Sequence, residues 1–379
     1  MELFWLEHKK LWRKKIVKIC VLLCFVYCVI FGSILSFQWF CFGSSDDYTS
    51  AFGNNFDGYT VIKDSQEYAL SFGGELTDET LQKIVSDYQQ MEADGMGEEL
   101  EKTDWQIVNS WLGTLYPELR DTSNYKTMIS YVDPDKLTGF YERRQQVLDE
   151  FLEVSGQVGA EKEFLHQIER KVEKPFRYEW VEGWSTLLGS MVADLGVVMA
   201  LFLGIVLSSL FAGEWHDNTS TLVLTTRNGW GKIALAKILT GLAFTVELFA
   251  LLAVSSVISQ LFFMGTAGWN MPIQNIKLIA VAPMNMLQAE IYEYAFVLLG
   301  AIGFAGIVMF ISAAVKNNVL TLLLSLAVVY GPMMIAEYLP YEMQKALDLI
   351  PLVGSSTDIF RTNTFRIFGK LIWSPYLLI

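Results

Sequence analysis

The sequence predicts an all-α polytopic membrane protein, with five transmembrane helices and a mostly helical extracellular domain. Three observations predict it: five long apolar runs, an acidic stretch between the first two of them, and a cluster of basic residues ahead of the first. The runs lie at 19–42, 186–212, 233–263, 293–315 and 319–339. About 20 residues at a rise of 1.5 Å cross a hydrocarbon core of roughly 30 Å, so each run is long enough to span. With 52% hydrophobic and 14% aromatic residues, the 379-residue chain is too apolar for an ordinary soluble protein of this length.

Residues 1–18 form a basic N-terminus. Lys9, Lys10, Arg13, Lys14, Lys15 and Lys18 place it in the cytoplasm by the positive-inside rule. The run at 19–42 is longer than a signal-peptide core and flows into Gln38-Trp39-Phe40, an interfacial aromatic belt, so it reads as an uncleaved anchor. Cys20, Cys24 and Cys28 recur on one face of it and read as small apolar side chains facing lipid or another helix.

Residues 43–185 then lie outside. Between Gly43 and Gly183 there are 29 acidic against 13 basic residues, which accounts for the whole negative balance of the chain. Such a surface argues against nucleic acid as a partner; it would favour cationic peptides as substrate by electrostatic attraction, with export of lipid or a hydrophobic drug equally open. Only Cys41 is near, so the domain must cohere through its own core. After a loop-like stretch at 43–60, Thr77 and Asp78 ahead of Leu81, Ile84, Val85 and Tyr88 begin a capped amphipathic helix. A second helix runs from Asp104 to Leu115 and ends at Pro117. A third runs from Pro134 to Glu173, with a stripe of Val147, Leu148, Phe151, Leu152, Val154, Phe164, Leu165, Ile168 and Val172 interrupted at Gly156 and Gly159. Phe176, Tyr178, Trp180 and Trp184 read as an aromatic approach to the membrane.

Alternation places the 213–232 loop inside, 264–292 outside and 316–318 inside. Residues 340–379 then fall outside as an extracellular or re-entrant segment leading to a sixth helix that is absent, and they close on the apolar LIWSPYLLI. Along the second run Gly196, Ala200, Gly204, Ser208 and Ala212 recur every four residues, a stripe that lets another helix approach closely; Gly300, Gly303 and Gly306 repeat the idea less regularly in the fourth. Ionisable residues within spans are costly, which makes Glu247 and Asp194 candidates for a substrate pathway. The alternatives are a hydrogen bond between helices for Glu247 and snorkelling to the outer interface for Asp194.

Motifs for chemistry are missing from the sequence. The nearest approach to a phosphate loop, Gly53 to Gly58 followed by Tyr59-Thr60, has no lysine, so the chain is not expected to hydrolyse ATP itself. With three histidines and no HExxH, a metal site is not expected, and Glu214, His216 and Asp217 read as polar capping of a helix end. The chain is therefore expected to be no enzyme and to bind no cofactor of its own.

The loop between the second and third runs reads FAGEWHDNTSTLVLTTRNGWGKIALAK. Phe211-Ala-Gly-Glu214, then Thr219, Leu222, Leu224-Thr225-Thr226, Asn228-Gly229 and Ala236-Lys237, resemble permease subunits of ABC-type transporters of the ABC-2 superfamily, in particular bacterial ones with a large external insertion after the first helix. The resemblance implies that 213–232 is a coupling helix docking on a separate cytoplasmic ATPase, which binds the ATP and Mg. It implies coupling roles for Glu214, Asp217, Thr219, Leu222, Leu224, Arg227, Asn228, Gly229, Trp230 and Lys232. Trp230 stands where many relatives have arginine, and such permeases normally carry six spans. The implied assembly has a second permease copy or a homologous permease, sits in the lipid of the plasma membrane and exports its substrate. Leu222, Val223 and Leu224 give the segment an apolar face to seat in a partner. A membrane sensor that binds an extracellular ligand through 43–185 is the alternative, against which every inner segment is short.

Overall fold

The computed structural model describes residues 2–30, 62–63, 66–67, 69, 73–96, 105–121, 126–216, 231–335, 338–340, 343 and 364–373. It is mostly helical, with few strands. The described residues fall into two compact units. One takes its residues from Met1–Ser33, Leu187–Ser259 and Ile291–Ile359, the other from Ile34–Thr186, Gln260–Glu290 and Phe360–Ile379.

In the first unit, α1 (Glu2–Arg13) is followed by α2 (Lys15–Val29). The backbone is extended at Lys14, so the basic N-terminus divides between the two helices, a feature the charge count alone did not reveal. Leu11 is buried while Trp5 and Leu6 are exposed. Helix α2 begins four residues before the expected span and incorporates Lys15 and Lys18; residues 31–42 of that span and the loop at 43–60 lie outside the described residues. The described helices include three long and apolar enough to cross a membrane: Glu182–Trp215, Lys232–Met264 and Met286–Val315. The first contains α7 (Val192–Ser208) and, after a break at 209–211, the short α8 (Ala212–His216). The others are α9 (Lys232–Met264) and α10 (Met286–Val315), the latter starting about two turns before the apolar run. Helix α11 (Asn318–Ile335) falls within the run expected at 319–339, apart from its first residue.

The stripe of small residues runs along α7 and into α8. Gly196, Ala200, Gly204, Ser208 and Ala212 are all buried. A Cβ at Gly204 would lie 3.0 Å from Leu322 and 3.7 Å from Leu326 of α11, so hydrogen at this position sets the approach of the two helices. Tyr330 Oη of α11 donates to Val197 O of α7 at 3.2 Å. Gly303 and Gly306 of α10 behave differently, because a Cβ on either would meet nothing within 4 Å. Cys20, Cys24 and Cys28 are buried against the other helices of this unit as free thiols.

The second unit is built on an aromatic core. Helix α3 (Asp78–Met91) starts at the expected cap, Thr77, whose side chain accepts from Thr80 N, and it buries Leu81, Ile84, Val85 and Tyr88. Asp78 works elsewhere: its carboxylate accepts from Gly139 N at 2.7 Å and Phe140 N at 2.9 Å and so caps a later helix in space. Helix α4 (Trp105–Leu115) stops ahead of a 3₁₀ turn at Pro117–Leu119.

The single long helix expected from Pro134 to Glu173 is instead a 3₁₀ turn at Pro134–Lys136, α5 (Phe140–Val154) and α6 (Ala160–Glu169). The break has a definite cause. Gly156 has φ +72°, Gly156 N bonds Glu153 O, and Gln157 N bonds Leu152 O at 2.8 Å, which is the glycine-terminated helix end of the Schellman type. Val154, placed on the buried stripe by periodicity, is 89% exposed because the helix ends under it.

A second correction concerns Phe176, Tyr178, Trp180 and Trp184. They are buried within this unit rather than forming a membrane-facing belt. Trp180 Nε1 donates at 2.9 Å to Met264 O, a carbonyl at the end of α9, and Gln66 Nε2 donates to the same oxygen at 2.8 Å. An indole N–H taken out of water needs such a partner, and a helix C-terminus supplies free carbonyls. Gly268, at φ +79°, lies against Trp180 O so closely that no Cβ fits.

Two short strand pairs complete the unit. β1 (Gly74–Glu75) pairs antiparallel with β2 (Arg177–Tyr178), and β3 (Thr364–Ile367) with β4 (Lys370–Trp373) across a tight turn in which Phe368 and Gly369 both have positive φ. The β3–β4 hairpin is fastened by Thr364 Oγ1 donating to Gln157 Oε1 at 2.7 Å and by Arg366 to Glu161 at 3.0 Å, and it buries Trp373. Part of the C-terminal apolar run is therefore strand, in a chain whose sequence predicts only helices.

Candidate functional site at the root of the 213–232 segment

The residues that lead out of α7 are tied down from several directions. Ser209 caps α7, and the chain turns through Leu210 and Phe211 into α8. A break of this kind exposes backbone groups that must find partners. Ser312 of α10, fully buried, supplies them: its hydroxyl donates to Ser208 O at 2.6 Å and accepts from Phe211 N at 3.2 Å and Ala212 N at 3.0 Å. One side chain thereby closes α7 and opens α8.

Charge holds the next turn. Lys237 of α9 is 1% exposed and reaches Glu214 Oε1 at 2.6 Å, Leu210 O at 2.9 Å and the face of Phe211 at 5.1 Å. A buried ammonium is tolerable only with such compensation. Lys10 of α1 stands 3.7 Å from the same Glu214 oxygen and 3.6 Å from Glu7. Lys14 donates to Ser209 Oγ at 3.0 Å, and Lys316, just past α10, lies 3.9 Å over the ring of Trp215. The root of the segment is thus bound to α1, α9 and α10 together. Comparison with protein-family models, with curated proteins and with solved structures finds no match to this chain.

Of the residues with expected coupling roles, Glu214 belongs to this cluster and Lys232 begins α9. Asp217, Thr219, Leu222, Leu224, Arg227, Asn228, Gly229 and Trp230 lie outside the described residues.

The two candidate pathway carboxylates have local partners. Glu247 Oε2 accepts from Trp12 Nε1 at 3.0 Å, and Oε1 lies 3.2 Å from His8 Nε2. These contacts fasten α1 across α9. Asp194 is exposed and accepts a hydrogen bond from Tyr27 of α2. Among the described residues no group of three His, Cys, Asp or Glu side chains could hold a metal ion.

Sequence reasoning missed Ser312, Lys14 and Lys316 as parts of this site. Lys10 and Lys14 carried only an orientation signal there. A buried serine in an apolar helix has no distinguishing pattern in sequence.

Proposed function

We propose that the chain is the membrane subunit of an ATP-driven transporter of the ABC-2 type, an exporter that receives work from a separate ATPase through residues 213–232. The observation that carries this reading is the clamp on Glu214, with Lys237 at 2.6 Å and Lys10 at 3.7 Å, beside the Ser312 bridge. A segment that passes displacement from a partner to membrane helices needs a stiff root, because motion absorbed in a loose loop does no work on the spans. Here the root joins three helices, so a push on the segment reaches α1, α9 and α10 at once.

Five crossings belong to the reading: α2 with the residues after it, the three long helices, and α11. It draws support from the division into units. Two of the segments that alternation assigns to the outer face, 43–185 and 264–292, fall almost wholly within Ile34–Thr186 and Gln260–Glu290 of one unit, which also takes Phe360–Ile379 from the third segment, while 340–359 belong to the other unit. Trp5 and Leu6, exposed on α1, alternate with Lys9 and Arg13, the composition of a helix lying among lipid headgroups at the inner face of the plasma membrane. The partners are a cytoplasmic ATPase carrying ATP and Mg, and a second copy of the chain or a homologous permease.

The test uses the full chain extracted from its own membranes in mild detergent. A stoichiometric ATPase is expected to co-elute, and Glu214→Lys or Lys237→Glu is expected to uncouple its hydrolysis from the membrane subunit, with partial recovery in the double exchange. Charge reversal at Arg227 and Leu224→Pro should uncouple as well. Failure of any ATPase to co-elute, or wild-type coupling in the single reversals, would refute the proposal.

A further inference from the structure

The second unit contains a cavity of about 400 Å³, bounded by the strand of chain at 171–177, the loop after α9 and the first turn of α10. That volume is at the small-molecule end of ligand pockets. Three features of its lining point to what it takes.

Gln274, fully buried in the wall, donates from Nε2 to Ala280 O at 2.9 Å and to Ala282 O at 2.8 Å, while its Oε1 has no hydrogen-bond partner. Turning the amide over would set oxygen against two carbonyls, so the fold itself fixes an unused acceptor here. That oxygen has no accessible surface, so Gln274 braces the wall through its two bonds to Ala280 O and Ala282 O and does not itself touch a ligand. Lys171 and Arg177 also line the cavity, and neither makes an ion pair among the described residues. Arg177 is held in place, since it belongs to β2 opposite Glu75 and its carbonyl accepts from Asn275 Nδ2 at 2.9 Å. At the far wall Asn285 and Gln288 cap the start of the 30-residue α10 reciprocally, Gln288 N to Asn285 Oδ1 at 2.8 Å and Asn285 N to Gln288 Oε1 at 3.1 Å. Those amides are already bonded, so α10 contributes only the positive end of its dipole.

Two cations and a helix N-terminus select a carboxylate, in a unit whose overall balance is strongly acidic. The one lining carboxylate, Glu173, selects a donor of the ammonium type. We propose that this cavity binds a small zwitterion of dipeptide size, its carboxylate met by Lys171 and Arg177 and its ammonium by Glu173. A single amino acid would leave much of the volume empty, and Pro175 and Met284 offer apolar wall for a side chain. The inference is independent of coupling to an ATPase.

Calorimetry on the full chain in lipid nanodiscs tests it with alanyl-leucine, its C-terminal amide and its N-acetyl form. The free dipeptide is expected to bind, and each blocked form to bind about tenfold more weakly or worse, because each loses one charge-assisted contact. Lys171→Gln and Arg177→Gln, both at exposed positions, should weaken binding of the free dipeptide by a similar factor. Absence of binding by alanyl-leucine, equal binding of the amide, or unchanged binding in both variants overturns the proposal.

Discussion

Replacing Glu169 with alanine should loosen the second unit more than any surface change in it. Arg144, 0% exposed, donates to Glu169 Oε1 at 2.6 Å, to Leu278 O at 2.7 Å and to Ala280 O at 3.2 Å, and its guanidinium lies 5.0 Å from the centre of the Phe176 ring. It thus fastens α5 to α6 and to the loop after α9. Removing the carboxylate leaves a buried cation uncompensated, which costs about 3–5 kcal/mol. Amide hydrogen exchange reads this directly: the amide of Ala280, bonded to Lys277 O at 2.8 Å, should lose protection roughly 100- to 4000-fold, at 1.4 kcal/mol per factor of ten.

The control is the double variant Arg144→Met/Glu169→Leu. It removes both charges, and Ala280 O keeps its bond from Gln274, so Leu278 O is the carbonyl left bare. That costs about 1–3 kcal/mol, or roughly 5- to 140-fold in protection. Lys174, 2.8 Å from Glu169 and 35% exposed, turns to water at little cost. Equal losses in the single and double variants, or no loss in the single one, would refute the assignment of this pair as the tie between α5, α6 and the loop.

The same pair sets a pH dependence. Burial alone would raise the Glu169 carboxyl, but the hydrogen bonds and charges of Lys174 and Arg144 outweigh it and hold the group below the usual carboxylate range. Its contribution is complete above the unfolded value of about 4.3 and is lost as pH falls through the lower folded value. Fluorescence of the buried Trp111, whose Nε1 donates to Asn275 O at 2.9 Å, should therefore hold steady down to that region and then change, with a flatter profile in Glu169→Gln; identical profiles would remove the link. Gly204→Leu should lower the thermal midpoint of the full chain by overpacking against Leu322, at about 1–3 kcal/mol, and Leu322→Ala should recover part of it; an unchanged midpoint in Gly204→Leu would refute close packing of α7 on α11. Ser312→Ala leaves Ser208 O, Phe211 N and Ala212 N without their common partner and should raise exchange at Phe211 and Ala212 while the amides of mid-α7 stay protected. Uniform change along α7 would argue against a local bridge.

Local features were legible where a short stretch of chain carries its own reason. The Thr77 cap needs only three following residues, and the four-residue repeat of small side chains on α7 announces a close helix contact whatever the partner. The Pro134–Glu173 helix failed because periodicity of apolar residues continues across Gly156 and Gly159, while the backbone at a left-handed glycine does not. The aromatic residues from Phe176 to Trp184 were misplaced because the same composition suits a membrane interface and a packed core. What separates them is the carbonyl that each indole N–H finds, and Met264 O is more than 80 residues away in the chain.

By itself the sequence determined the helical character of the chain, the positions of its long apolar helices, the acid of the inserted stretch and the buried face of α7. These depend on hydropathy and spacing over one or two helical turns. Only the tertiary structure decided that Glu214 is held by Lys237 and Lys10, that Ser312 bridges α7 and α8, and that Arg144 is buried against Glu169. Each of those depends on two groups distant in sequence meeting away from water, where a charge or a hydrogen bond must be matched, and no spacing along the chain records which partner it will be.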